Sequence, residues 1–300
     1  MMRIGKLYKF LFSVLFFLMF FLPANAQSTD LARVEYTYFP QSSSDNSFRQ
    51  FKALLAFPIK LGEKSGYLVP GIEYENVNFK FEDNAPFQKK GELDRFQSFT
   101  FSLGYTFKMQ NNWRFAVWNG FLAASNFETG TLINDDLVYT GAIGFIKDED
   151  EVEKPWRLIF GLYYSTKSKR SFPLPVINYY RRFQPDWSYT LGVPKTNLKY
   201  YLSEKSEFQA FVRLDGFYAN LQEDRFFTNS DKVAESISMT IVLAGLGYEY
   251  NFTEHLSFYL YAGYTVYNDF RLRNAEKEDI YQVNNMNTFH ARTGLKFNIF

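Results

Sequence analysis

The segment Leu93–Lys108, LDRFQSFTFSLGYTFK, decides the fold class. From Ser98 onward, apolar residues alternate without interruption with polar or small ones. The apolar parity consists of Phe99, Phe101, Leu103, Tyr105 and Phe107. A period of two places successive side chains on opposite faces of a β-strand. Such a strand fits a soluble sandwich if its apolar face points inward, and a membrane barrel if that face points to lipid.

The same alternation recurs along the rest of the chain. Leu256–Arg273 shows it over a length that exceeds the roughly 5–6 residues of most globular strands. The other predicted strands are Asp30–Phe39, Phe48–Lys60, Tyr67–Glu82, Trp113–Ala124, Asp136–Lys147, Trp156–Thr166, Val176–Gln184, Trp187–Val193, Thr196–Ser203, Glu207–Gln222, Ser236–Phe252 and Asn287–Phe300. In Tyr67–Glu82 the apolar parity slips, which predicts a one-residue bulge near Glu75–Asn76.

The lengths of the connections distinguish a membrane barrel from a soluble sandwich. Short links such as Met109–Asn112 alternate with long polar ones such as Glu223–Glu235. Aromatic residues make up 20% of the chain, with 35 Phe and 22 Tyr. Short turns on one side, long loops on the other and aromatic girdles are the plan of outer-membrane barrels. We therefore predict an all-β, antiparallel, transmembrane up-and-down β-barrel of about 14 strands, or about 12 without a hairpin turning at Pro194–Lys195.

The N-terminus has the three parts of a secretory signal. Arg3, Lys6 and Lys9 precede an apolar run, and Ala24-Asn25-Ala26 matches the A-x-A cleavage pattern. The run is short for a spanning helix, which needs roughly 20 apolar residues. We expect a signal peptide at residues 1–26, cleavage between Ala26 and Gln27, and a barrel at residues 27–300 in the bacterial outer membrane.

Composition excludes several classes of site. The chain has no cysteine, which excludes disulfides, thiolate metal sites and a lipid-modified N-terminal cysteine. Because three basic and no acidic residues lie in the leader, the net charge of the remainder falls from +1 to −2. That balance does not indicate a nucleic-acid partner. With two histidines and no catalytic motif, we expect no cofactor and no metal, and the protein is predicted not to be an enzyme.

One stretch carries a family resemblance. Trp187-Ser-Tyr-Thr-Leu-Gly-Val-Pro194, followed by Leu198-Lys-Tyr200, resembles the Trp…Leu-Gly-x-Pro…Leu-x-Tyr stretch of an uncharacterised outer-membrane barrel family of Bacteroidetes type, DUF6268. The resemblance implies an outer-membrane barrel and brings no catalytic or ligand residues. The terminal Phe300 resembles the aromatic end that the barrel-assembly machinery reads. This machinery and the outer-membrane lipid are therefore the expected partners.

The polar parity of the predicted strands gives the candidate interior. The predicted lumen-facing residues are Lys52, Glu73, Glu75, Lys108, Arg157, Arg213, Asp215, Glu249, Tyr259, Tyr261, Tyr267, Asp269, Arg271, His290 and Arg292. The charges either bind or steer a polar solute or pair with one another to fill the barrel. The three tyrosines either stack on flat ligands or pack within the wall.

Three functions stay open at this stage. The first is passage or binding of small polar or amphipathic solutes. The second is a structural, assembly or surface-interaction barrel without transport. The third and most distant is a rim hydrolase. It rests on a predicted pairing of Asp269 with His290 across the last two strands, with the pair acting as a general base.

Overall fold

The computed structural model describes residues 30–40, 47–62, 66–80, 93–167, 172–227 and 231–298. The expected signal peptide, the loop Asp83–Glu92 and the terminal Phe300 lie outside these residues. The described residues form a closed antiparallel transmembrane β-barrel of 14 strands, in which the first strand pairs with the last. Both the predicted fold class and the count of 14 are confirmed.

Two short strands accompany the 14 that form the barrel. The bounds are β1 Asp30–Pro40, β2 Ser47–Ala56, β3 Ile59–Lys60, β4 Tyr67–Lys80, β5 Arg95–Lys108, β6 Trp113–Ser125, β7 Leu137–Glu149, β8 Trp156–Ser165, β9 Leu174–Gln184, β10 Trp187–Gly192, β11 Lys195–Tyr201, β12 Ser206–Phe226, β13 Val233–Asn251, β14 Leu256–Arg273, β15 Asp279–Asn284 and β16 Phe289–Asn298. The short β3 pairs with β4, and β15 pairs with the end of β14. A 3-10 turn, Asn134–Asp136, precedes β7.

The outer face of the barrel is apolar. Phe101, Ile177 and Leu260 are each about half exposed, as alternating strand residues are when one parity faces outward. Phe99 and Tyr74 pack side by side on this face, with ring centroids 4.9 Å apart. Such an apolar band is the surface that faces lipid. In the described part of the chain, no helix combines the length and the hydropathy needed to cross a membrane.

The predicted bulge near Glu75–Asn76 is wrong. The pairing of β4 with β2 and β5 continues through both residues without a shift. Val77 and Phe79 therefore keep the inward parity of Glu75, and both are 1% exposed. The parity slips in the sequence because the inner face changes from charged to apolar along β4.

A bulge occurs instead in β14. Leu243 of β13 pairs with Thr265, but the next residue, Val242, pairs with Tyr267, so Val266 is the extra residue. A bulge of one residue reverses the parity of the strand beyond it. Phe270 therefore points inward, opposite Met239 of β13, and both are buried.

The long-loop half of β12, from Leu214 onward, has no partner on β11 and stays paired with β13, and it lies across the lumen. We call it the crossing segment. Asn220 of β12 pairs in parallel with Ser125 of β6, although five strands separate them along the sheet. The outward residue Leu214 packs against Tyr163 and Leu174, which point inward from β8 and β9. The inward Phe217 faces the opposite wall. Both faces of this segment are thus covered by barrel wall.

An apolar layer fills the long-loop half of the interior. Its residues are Phe39, Phe48, Val77, Phe79, Phe96, Phe217, Leu221, Ile237, Met239, Phe270 and Leu272. Phe217 lies with its ring centroid 6.1 Å from Phe48 and 5.7 Å from Phe96. Phe79 meets Phe270 from the facing wall at 4.9 Å. The barrel is flattened here, because the walls β1–β5 and β12–β14 touch through these rings.

Candidate functional site

A charged layer lies below the apolar layer, on the inner face. Its residues are Glu35, Lys52, Glu73, Glu75, Arg213, Asp215 and Arg292. Lys52 lies 3.6 Å from Glu73 and 3.3 Å from Glu75, which are alternate inward residues of β4. The strand pairing places them together, because Lys52 of β2 is directly opposite Glu75. These three side chains form one ion-paired group.

Arg292 connects this layer across the lumen. From β16 its guanidinium pairs with Asp215 of β12, lies 3.5 Å from Glu35 and donates a 3.0 Å hydrogen bond to the hydroxyl of Thr37. Only 4% of the Arg292 side chain is exposed. Asp215 also lies 3.5 Å from Arg213, so one carboxylate serves two guanidinium groups. The layer thus ties β12 to β16 and β1 by charge.

A second polar cluster lies toward the short turns. Glu249 of β13 accepts hydrogen bonds from Gln209 and Tyr261, and it pairs with Lys296 at 2.6 Å. Lys199 of β11 bridges this carboxylate, at 3.9 Å, to Glu207, at 2.5 Å. Tyr259 precedes Tyr261 by two residues on the inner face of β14. Its hydroxyl donates a 2.7 Å hydrogen bond to Glu35, which joins the two clusters. The tyrosines Tyr259 and Tyr261 therefore act as hydrogen-bond donors within the wall.

Two predicted residues lie at the short-turn rim. Lys108, the last residue of β5, is exposed. Arg157 pairs with Asp148 at 2.7 Å, and 45% of its side chain is exposed. Neither residue reaches the two polar clusters.

Three predictions of lumen-facing residues are wrong. The bulge at Val266 places Tyr267, Asp269 and Arg271 on the outer face. Their partners lie there too, because Tyr267 donates to Asp269 and Arg271 pairs with Asp269 and with Asp279 of β15. The sequence of β14 shows no sign of the bulge. Counting alternate residues through it therefore places these three residues on the inner face, although they lie on the outer one.

This outer group lies beyond the membrane-spanning part of the barrel. The strand β14 has 18 residues, whereas about 9–11 tilted residues span a bilayer. Partial burial raises the pKa of Asp279, but hydrogen bonds and charge from Arg273 and Arg271 outweigh that effect and hold this pKa below its usual value. The two guanidinium groups thus keep the carboxylate ionised and attach β15 to β14.

The predicted Asp269–His290 pair is absent. His290 lies opposite Gly263 in the pairing of β14 with β16, and its ring stacks on Phe39 at 6.0 Å. It is 2% exposed, and neither ring nitrogen has a hydrogen-bond partner among the described residues. Because Asp269 points outward, the rim hydrolase loses its general base. In the described ranges, no group of three or more potential ligands is placed to hold a metal ion.

Part of the charged interior lies outside the predicted set of residues. Glu35, Lys199 and Glu207 belong to the two polar clusters but are not among the predicted residues. Their signal is the ordinary alternation, as in Val34-Glu35-Tyr36, where the flanking residues are exposed. The inward phenylalanines carry no such signal, because the parity rule assigns apolar residues to lipid.

Sequence comparison identifies the family. The model of a domain of unknown function, DUF6268, matches residues 24–299. The chain belongs to this family. The DUF6268 match confirms the predicted resemblance and covers the whole described barrel. No curated protein matches the chain in sequence.

Comparison with solved structures returns barrels of low similarity to this DUF6268 protein. The KdgM porin in complex with disordered oligogalacturonate has a TM-score of 0.39 at 8% identity, covering 89% of this chain and 99% of that one. LpxR from Salmonella typhimurium has 0.38 at 8%, covering 89% and 100%. The P. putida toluene transporter TodX has 0.35 at 7%, covering 89% and 87%. At these TM-scores none of the three carries an argument about function.

Proposed function

We propose that the protein is exported with a signal peptide cleaved after Ala26 and is placed in the bacterial outer membrane by the barrel-assembly machinery. The leader sequence and the apolar outer face of the barrel support this location. The short turns then lie in the periplasm and the long loops outside the cell.

We further propose that the barrel binds or passes small polar or amphipathic solutes and that the crossing segment of β12 is its closure. The contacts that hold the crossing segment against the wall support this proposal. On the β6 side its one backbone pair among the described residues is Asn220 with Ser125, and side-chain contacts hold the rest. A barrel of 14 strands is wider than the 8-strand type that side chains alone can fill. If the crossing segment, with its partner β13, moved away from β6, a lumen bordered by the charged layer would open.

The test is single-channel conductance of the purified protein in planar bilayers. Phe217→Ala removes the ring between Phe48 and Phe96, and we expect it to raise the conductance or the open fraction. Phe208→Ala, on the exposed outer face of the same strand, is the matched control and should leave both unchanged.

A disulfide provides a second, reversible test. The chain has no cysteine, so Ser125→Cys with Asn220→Cys creates a single pair that locks β12 across the lumen. We expect the oxidised protein to stay closed and reduction to restore the events seen in the wild type or in Phe217→Ala. The control pair Ser98→Cys with Ala124→Cys joins ordinary neighbours β5 and β6 and should not affect gating.

A structural or assembly barrel without transport is the second candidate. The observation that favours it is the paired interior, in which buried Arg292 and Glu249 each have several partners. If Phe217→Ala and the reduced lock protein both stay closed while folding normally, and no solute binds, this second function replaces the first.

A further inference from the structure

The barrel wall is interrupted above the hairpin of β10 and β11. These strands have 6 and 7 residues, fewer than the about 9–11 that a spanning strand needs. The hairpin turns at Val193–Pro194, where Leu214 donates its N–H to the carbonyl of Pro194 at 2.9 Å. Beyond this point, β9 and β12 have no strand pairing with each other within the described ranges. We call this break in the ladder the seam.

Among the described residues, apolar contacts close the seam. Tyr163 and Leu174, from the inner face of β8 and β9, pack on the outward Leu214, and Val193 and Val242 complete the contact. In the other described strands the wall is a hydrogen-bonded sheet. Separating two apolar surfaces in lipid carries little hydrophobic cost, because the chains of the lipid replace the contacts that are lost. The seam is therefore the part of the wall that an alkyl chain can enter without breaking a ladder.

A lysine lies at the inner mouth of the seam. Lys195 follows Pro194 directly and pairs with Arg213, the residue before Leu214. Its ammonium lies 5.3 Å from the ring of Phe211 and 4.8 Å from that of Tyr261. No carboxylate among the described residues lies within 4.0 Å of it, in contrast to Lys199 on the same strand. A half-buried ammonium with only rings as close partners favours the approach of an anion.

We propose that the seam admits the alkyl chain of a single-chain amphiphile with an anionic head group, and that Lys195 and Arg213 bind that head group. The molecule would move between the lumen and the outer half of the bilayer through the seam. This inference rests on the proposed function and narrows the solute to one chemical class. The apolar lining and the two cations lie side by side because Lys195 directly follows Pro194 and Arg213 directly precedes Leu214 in the chain.

Photocrosslinking in liposomes tests the proposal. The probe is dodecanoate with a diazirine near the end of its chain, and the readout is the yield of labelled peptides by mass spectrometry. We expect enrichment at Leu174–Ile177 and at Val212–Leu214 over the lipid-facing reference Phe99–Leu103 of β5. Dodecanol with the same diazirine, which lacks the charge, should label the three peptides evenly.

Two lysine variants separate the head-group site from general effects. Lys195→Gln should lower the enrichment at the seam about tenfold or more, the factor expected when a hydrogen bond to a charged group is lost. Lys108→Gln, at the exposed short-turn rim and in neither polar cluster, is the control and should keep the enrichment.

The outcomes distinguish this inference from the proposed function. Even labelling of all lipid-facing peptides, or equal enrichment in wild type and Lys195→Gln, overturns the seam site. If Phe217→Ala conducts in the same preparation while labelling is even, only the inference fails and the lumen remains the route. If labelling is enriched at the seam and lost in Lys195→Gln, the inference stands even where small ions do not conduct.

Discussion

Ser125 of β6 donates its hydroxyl hydrogen to the backbone carbonyl of Asn220 of β12 over 3.3 Å, although the two residues are 95 positions apart. Beside them, the side-chain amides of Asn220 and Gln222 donate to Asp136 at 2.9 and 2.6 Å. The Asp136 carboxylate, in the turn that precedes β7, accepts these bonds and so fixes the end of the crossing segment. Charge-assisted bonds of this kind are stronger than neutral ones.

Asp136→Ala should therefore destabilise the crossing segment. Asp136 is fully buried, and its loss removes the acceptor of the Asn220 and Gln222 amides and of the Ile133 backbone N–H, at a cost of about 1–3 kcal/mol. Urea unfolding of the protein in liposomes, followed by tryptophan fluorescence, measures this. Asp135→Ala is the control, because Asp135 is adjacent in sequence and exposed. Equal stability of the two variants would show that Asp136 does not hold β12.

The lipid-facing parity gives a second expectation. Phe101 is 52% exposed on the outer face in the middle of β5. Phe101→Arg should hinder insertion into liposomes, because a charge near the bilayer midplane costs roughly 2–4 kcal/mol on the lipid face. Ser102→Arg points into the interior and should insert far better. The folded fraction of each variant is measured by comparing the gel mobility of heated and unheated samples. Equal folded fractions would contradict the placement of Phe101 on the lipid face and Ser102 on the inner face.

Local alternation was sufficient to predict the fold. The segment around Phe101 has one face for lipid and one for the interior, and the strand count of 14 follows when each such segment is tallied. Even the hairpin turning at Pro194–Lys195, on which the count of 14 rather than 12 depends, forms with strands Trp187–Gly192 and Lys195–Tyr201. These features depend on residues close together in the chain, which is why a single sequence contains them.

The interior was less predictable because it depends on long-range contacts. The inward direction of Phe79 of β4 goes with its contact with Phe270 of β14, which is far away in the chain, and alternation cannot report such a contact. The bulge at Val266 leaves no mark in the pattern of β14, so Asp269 was assigned to the wrong face. The crossing of β12 likewise depends on Ser125, far away in sequence.

The corrected face of β14 can be tested by labelling. Arg271→Cys should react with a membrane-impermeant maleimide added to intact cells, since Arg271 lies on the outer face beyond the bilayer and 30% of its side chain is exposed. Phe270→Cys should stay unlabelled, because Phe270 is 1% exposed and points inward. If Phe270→Cys were labelled and Arg271→Cys were not, the inward direction predicted for Arg271 from the sequence would be correct.

Epitope tags test the orientation in the membrane. A tag in the link between β12 and β13, between Phe227 and Lys232, should bind antibody on intact cells, because long loops face outward. A tag at Asn111, in the short turn after β5, should bind only after the outer membrane is permeabilised. Both sites are in connections, so neither insertion interrupts a ladder within the membrane. Surface binding at Asn111 would reverse the proposed topology.

Burial rather than distance should decide the value of the interior ion pairs. Arg292→Met leaves Glu35 and Asp215 without their shared guanidinium in a site where Arg292 is 4% exposed, and breaking such a buried pair costs about 3–5 kcal/mol. Arg157→Met breaks a 2.7 Å pair with Asp148 that is nearly half exposed, and its cost should stay within about 1 kcal/mol. Urea unfolding in liposomes measures both. If the two variants lose the same free energy of unfolding, the charged layer is hydrated and contributes no more than a surface pair.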